Sequence, residues 1–173
     1  MYIQARDNYP HNVDECIEKL QYVIAADDEH AGAHCLMARI YEEQMEDYAQ
    51  AKHYYQMTLY LDRSYAPVYS HYAHLLINLD ELDEALKIIE RGMKVKGTDI
   101  STLLYLKAAL YEKYEMYNTA IEIYEDAKRH CLNSYFMHAM DDHIKRVKDK
   151  KALVKKMIKR KEKKKSSKTK TAS

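Results

Sequence analysis

Apolar residues recur along this chain with helical period, and they come in pairs of stripes separated by short polar breaks. The stretch from Ala66 to Asp99 shows the unit most cleanly. Tyr69, Tyr72, Ala73 and Leu76 fall on one side of a first helix. Leu82, Ala85, Leu86, Ile89 and Met93 fall on one side of a second, and Asp80-Glu81 interrupts the pattern between them. An antiparallel helix pair is the expected outcome.

The same unit is written on both sides of this one. From Ala31 to Asp62, Cys35, Ala38 and Tyr41 mark a first helix and Ala51, Tyr55, Thr58 and Leu59 a second. The turn through Gln44-Met45-Glu46-Asp47 is expected to hold one extra residue, because the other register would bury Arg39. From Ile100 to Asn133, Leu104, Ala108 and Tyr111 are followed by Ala120, Tyr124 and Ala127. Lys107 interrupts that first stripe, so Leu103, Leu106 and Leu110 are expected to cover a rotated face while Lys107 reaches outward. Upstream, Val13, Cys16, Ile17, Leu20, Val23 and Ile24 have the spacing of a second helix, with Asn12 and Glu15 as a capping box. Its first helix is missing or replaced on this reading. Either the chain opens on a lone capping helix, or it is a piece of a longer array. Downstream, Phe136, Met137, Met140, Ile144 and Val147 predict a covering helix that Ser134 would cap.

The anchors Cys16, Ala51, Ala85 and Ala120 are evenly spaced, and small residues there let paired helices cross closely. With Tyr69, Tyr72-Ala73, Leu76, Ala85 and Gly92 in place, the unit resembles the tetratricopeptide repeat. The resemblance implies an all-α, right-handed α-solenoid of antiparallel helix pairs with a C-terminal capping helix. Its parts would be a repeat domain over 1–149 and a basic, largely disordered tail over 150–173. The domain would hold a lone helix at 13–26, repeats at about 31–63, 66–99 and 100–133, and the capping helix at 135–149. The resemblance also implies a protein-binding scaffold or adaptor whose groove is lined by outward residues of the first helices. These are Arg39, Glu42 and Glu43; Ser70, His74 and Asn78; and Tyr105, Glu112 and Lys113, with Tyr105 as an anchor and the three glutamates as acceptors for a basic ligand. The basic clamp that holds acidic heat-shock-protein tails in this family is absent, which disfavours that ligand.

Three Gly and two Pro leave little room for strands and turns. Seventeen Tyr against one Phe and no Trp suit thin helix layers and interfaces, where a ring packs and its hydroxyl stays wet. A net charge of +1 conceals a split: 13 Lys or Arg against 25 Asp or Glu up to Ile144, then 15 against 2 from Lys145 onward. The block holding Lys159, Arg160, Lys161, Lys163, Lys164, Lys165, Lys168 and Lys170 is a candidate polyanion-binding tail. It reads as an import signal or solubilising tail, as an RNA or DNA backbone contact within a nucleoprotein complex, or as attachment to an acidic protein or membrane surface. Ser166, Ser167, Thr169 and Thr171 would weaken any such contact if phosphorylated.

Cys16, Cys35 and Cys131 are too sparse for a disulfide framework or zinc box and read as mostly buried thiols. His71 and His74 share a helix face without a third ligand nearby, and His138 with Asp141 and Asp142 is equally thin as a metal set. No phosphate loop, GxSxG turn or HExxH appears, so no catalytic residue, cofactor or metal is expected. A protein or peptide partner, self-association through an exposed end of the stack, and a cytoplasmic or nuclear setting complete the expectation. No apolar run approaches a membrane span.

Overall fold

A computed structural model describes the backbone from Met1 to Lys170 and side chains up to Glu162. Every element in it is helical: α1 (Tyr2–Asn8), α2 (Val13–Ala26), α3 (Ala31–Glu43), α4 (Tyr48–Leu61), α5 (Pro67–Asn78), α6 (Leu82–Gly92), α7 (Ile100–Lys113), α8 (Tyr117–Arg129) and α9 (Ser134–Lys170). The fold is an all-α solenoid of paired antiparallel helices with a distinct C-terminal helix. It divides into unit 1, Met1–Asp99, and unit 2, which begins at Ile100.

In unit 1, α1 pairs with α2, α3 with α4 and α5 with α6, and each pair packs on the next. The small anchors sit at the crossings. Ala38, Ala51, Ala73 and Ala85 are all fully buried, so no side chain holds the helices apart there. Leu20, Ile40, Tyr55, Leu75, Leu76 and Ile89 fill the space around them. In unit 2, α7 pairs with α8, and Ala108 and Ala120 repeat the crossing. Leu103, Leu106 and Leu110 are buried beside Leu104, so the face is rotated as its sequence requires.

The caps follow from local chemistry. Asn12 accepts from the Glu15 amide and Asp47 from the Gln50 amide. His30 does the same for Ala33 through Nδ1, an imidazole standing in for the usual short polar cap. Each first helix of the three full pairs ends on one residue in the left-handed region: Glu46, Asp80 and Glu115. The next amide then reaches back to a carbonyl in the last turn, Glu81 to Leu76 and Met116 to Tyr111. In the first pair it is Asp47 that reaches Tyr41, one residue further, and this is where the extra turn residue sits.

Three features differ from the sequence-based expectation. The helix at 13–26 is not alone: α1 lies against it, with Ala5 fully buried and the Cys16 thiol donating to the Ala5 carbonyl at 3.2 Å. Ala5, Ala38, Ala73 and Ala108 form one series, so α1 is a shortened first helix. Tyr2 anchors it, packed on His30 and hydrogen-bonded to Tyr65, and it crosses where Gly32 has no Cβ to obstruct its ring. The covering helix is capped by Asn133, whose side chain accepts from the Tyr135 and Phe136 amides, rather than by Ser134. Nor does it stop at 149. Residues 150–170 continue α9, because Lys, Ala, Leu, Met and Glu are good helix formers and no Gly or Pro interrupts them. Side chains of Lys163, Lys164, Lys165, Ser166, Ser167, Lys168, Thr169 and Lys170, and all of Thr171, lie outside the described residues.

Candidate functional site

The expected groove residues of unit 1 gather at the C-terminal ends of α3 and α5. Arg39 and Glu43, one turn apart on α3, form a two-pronged ion pair with Nε–Oε1 of 3.1 Å and Nη2–Oε2 of 3.3 Å. Tyr9, just past α1, donates to the Glu43 carboxylate, and its ring lies under the Arg39 guanidinium at 4.9 Å. Burial, then the Glu43 hydrogen bond, pushes the Tyr9 phenol up to about 12. Burial alone would raise the Glu43 carboxyl, but the bonds from Tyr9 and Arg39 outweigh it and hold it below the usual range.

Glu42 faces inward instead. It is buried, takes the Tyr55 hydroxyl at 2.7 Å, and lies 3.0 Å from Nδ1 of His74. The bond to Glu42 raises the His74 pKa, whereas burial and then the Arg39 charge lower that of His71 one turn earlier. Beside this cluster, Glu42, Glu43, Tyr48, His74, Asn78 and Leu79 line a recess of about 240 Å³. Ser70 lies away from it, donating to the Pro67 carbonyl within its own helix. Five of the six expected residues of unit 1 therefore fall in two neighbouring bonded groups, Arg39 with Glu43 and Glu42 with His74 and Asn78, and four of them line the recess.

Unit 2 departs further from the expectation. Glu112 is buried and already has its basic ligand: Arg146 of α9 approaches within 2.6 Å and Lys150 within 2.7 Å. Burial would push the Glu112 carboxyl up, but these two cations more than reverse it. Tyr124 adds a bond at 3.3 Å. Tyr105 is not an open anchor, because its ring packs on Tyr124, Phe136 and His143. Lys113 ends α7 exposed. The first part of α9 occupies this face, with Met140, Ile144 and Val147 buried and Lys128 paired with Asp141 at 2.6 Å.

Glu42 and Glu112 hold the same place in their repeats, as do Tyr55 and Tyr124. In the middle repeat those places are Ile77 and Ile89, both buried. The outer repeats thus carry a buried carboxylate–phenol pair where the middle one carries hydrocarbon. The two glutamates are internal fastenings, corrected from their expected role as free acceptors. The family resemblance implied an outward, groove-lining place for both, whereas the following first helix, α5 for Glu42 and α9 for Glu112, covers them.

Among the tail residues whose side chains are described, Lys159, Arg160 and Lys161 are exposed on α9. Cys16 and Cys35 are buried and Cys131 is partly exposed. Among the described residues no group of three or more His, Cys, Asp or Glu is arranged to hold a metal, and no helix is long and apolar enough to cross a membrane.

Residues 44–110 match a family model described as tetratricopeptide repeat. No curated protein matches the chain. Among solved structures the chain is similar to a thermophilic TPR protein of Thermus thermophilus, with a TM-score of 0.67 at 16% identity. That similarity covers 84% of this chain and 78% of the other. Residues 44–110 thus carry the tetratricopeptide repeat pattern, and the repeated helix pairs with their alanine crossings give the chain the fold of a solved TPR protein.

Proposed function

We propose that the chain is a non-enzymatic protein-recognition module, a scaffold or adaptor within a larger assembly, and that the α3–α5 recess of unit 1 receives a side chain of its partner. The observation that carries this reading is the recess itself. Glu43, His74, Asn78 and Tyr48 converge there on the face formed by first helices, and Tyr48, His74 and Asn78 remain exposed. By contrast, the equivalent face of unit 2 is taken by α9. The test alters the recess without disturbing the core: Asn78→Arg fills it and Tyr48→Glu replaces an aromatic wall with a charge, each at an exposed position. Protein captured by the full chain should be lost with either variant, and should be held unchanged by a chain ending at Asp149. Equal capture by both variants and wild type would remove the recess from the reading.

A second reading rests on α9. Between Lys145 and Glu162 it carries ten Lys or Arg against two acidic residues. Such a helix can grip an RNA or DNA backbone without reading its sequence. This nucleoprotein reading requires capture that is lost on nuclease treatment, falls steeply with salt, and disappears in the chain ending at Asp149.

A further inference from the structure

A second recess of unit 1, formed by α4, α6 and the turn leading into α5, is built differently. It measures about 560 Å³ and is lined by Gln56, Leu59, Tyr60, Arg63, Tyr69 and Arg91. None of the lining residues is acidic. Unit 1 as a whole has 18 Asp or Glu and only 9 Lys or Arg. Carboxylates are therefore abundant, and Arg6, Lys19, Arg39, Lys52 and Lys87 each sit against one. Arg63 and Arg91 do not: among the described residues neither guanidinium has a carboxylate within 4.0 Å. The same is true of Lys94 and Lys96, in the loop just after α6.

Two like charges facing one recess repel each other, and an acidic unit offers every opportunity to neutralise them from within. The surroundings also hold the Arg63 backbone in place. The Tyr69 hydroxyl donates to the Arg63 carbonyl at 2.6 Å, and Asp62 is committed to its own turn, accepting from Ser64 at 2.6 and 2.7 Å. Gln56 donates its side-chain amide to the Tyr72 hydroxyl at 3.2 Å. Tyr60 is 79% exposed, an aromatic ring standing at the rim beside partly buried Leu59.

We propose that this recess binds a phosphate monoester carried on an aromatic or apolar stem, with Arg63 and Arg91 sharing the dianion and Tyr60 and Leu59 taking the stem. A guanidinium presents a planar fork of donors that matches phosphate oxygens, and two of them match its double charge better than the single charge of a carboxylate. The volume lies in the range of small-ligand sites, roughly 300–1,000 Å³. A long polyanion is the wrong occupant. The net charge of −9 over Met1–Asp99 repels an extended nucleic-acid backbone, whereas one phosphate meets only the local cations.

The test titrates the full chain with phenyl phosphate, followed by nuclear magnetic resonance shifts and calorimetry, with phenol and benzoate as controls. Saturable binding of phenyl phosphate is expected, weaker binding of benzoate and none of phenol. Arg63→Gln and Arg91→Gln should each weaken phenyl phosphate by at least about tenfold, and the two together should abolish it. Both residues are exposed, so the variants keep the wild-type circular dichroism and melting profile. Absence of saturable binding, or binding that the double variant retains, overturns the proposal. Two further arms separate the sources of such a group. A phosphotyrosyl peptide that binds several-fold tighter than phenyl phosphate assigns the site to a modified protein segment. A peptide that binds no tighter, with inorganic phosphate weaker, assigns it to a small phosphorylated metabolite.

Discussion

At the scale of single residues, the Glu42–Tyr55 pair says how polarity is tolerated in these thin layers. A buried carboxylate left without its donors costs more than the pair contributes, while removing both partners removes the problem. Tyr55→Phe alone should therefore destabilise the protein by about 1–3 kcal/mol. Glu42→Ile alone should cost a similar amount, and the double variant less than the sum, since Ile77 and Ile89 occupy these places in the middle repeat. Chemical denaturation of the four proteins measures that coupling. His74 adds a pH dependence of known sign. Its folded pKa is raised by Glu42, so its contribution is fully present below the unfolded value near 6.5 and is lost as pH rises through the folded value. The stability gap between wild type and His74→Gln should accordingly be larger at pH 6 than at about pH 8.5. His71 and His143 act in the opposite sense. Burial lowers both, and their contributions are lost as pH falls.

Elements are legible in the sequence where the pattern is local and illegible where it depends on what packs next. Helices α2 to α8 follow from stripes and alanine anchors that each stretch carries by itself. Helix α1 escapes because seven residues hold too little periodicity, although Ala5 continues the series of Ala38, Ala73 and Ala108. The far half of α9 escapes because a run of lysines reads as repulsion, when the same residues are good helix formers. The recess in unit 1 is half visible: the family resemblance places Glu43, His74 and Asn78 on the right face, but Tyr48 comes from outside the first helices. Two tests belong to this scale. Ala85→Leu and Ala120→Leu should each cost about 1–3 kcal/mol in thermal or chemical unfolding, because the crossing cannot widen without strain. The left-handed residues predict the reverse. Glu46→Gly and Glu115→Gly relieve a conformation that costs a side-chain-bearing residue about 1–2 kcal/mol, less the entropy glycine loses, so each should raise the melting temperature slightly.

At the scale of the whole molecule, the two units have used equivalent surfaces to different ends. In unit 2 the chain supplies its own basic ligand, Arg146 and Lys150 on Glu112, and closes the face. In unit 1 the corresponding carboxylate is held by a histidine, and a recess stays open beside it. Charge alone, read as a total, conceals this. The near-neutral sum of the sequence contains an acidic body whose cations are mostly paired, and a basic helix whose cations, among the described residues, are mostly not.

The length of α9 carries one more consequence. Its 37 residues correspond to roughly 55 Å of helix, yet among the described residues its last side-chain grip on unit 2 is the Lys151 bond to Asn118. Beyond that point, among the described residues, no side-chain hydrogen bond or ion pair ties the helix to its neighbours, and nearly every turn offers a lysine to a protease that needs a locally unwound strand. Trypsin should therefore shorten the protein from its C-terminal end in quick steps and then stall. Mass spectrometry of a digestion time course should show one persistent product ending near Lys150 or Lys151, with Lys128 and Arg146 uncut behind it.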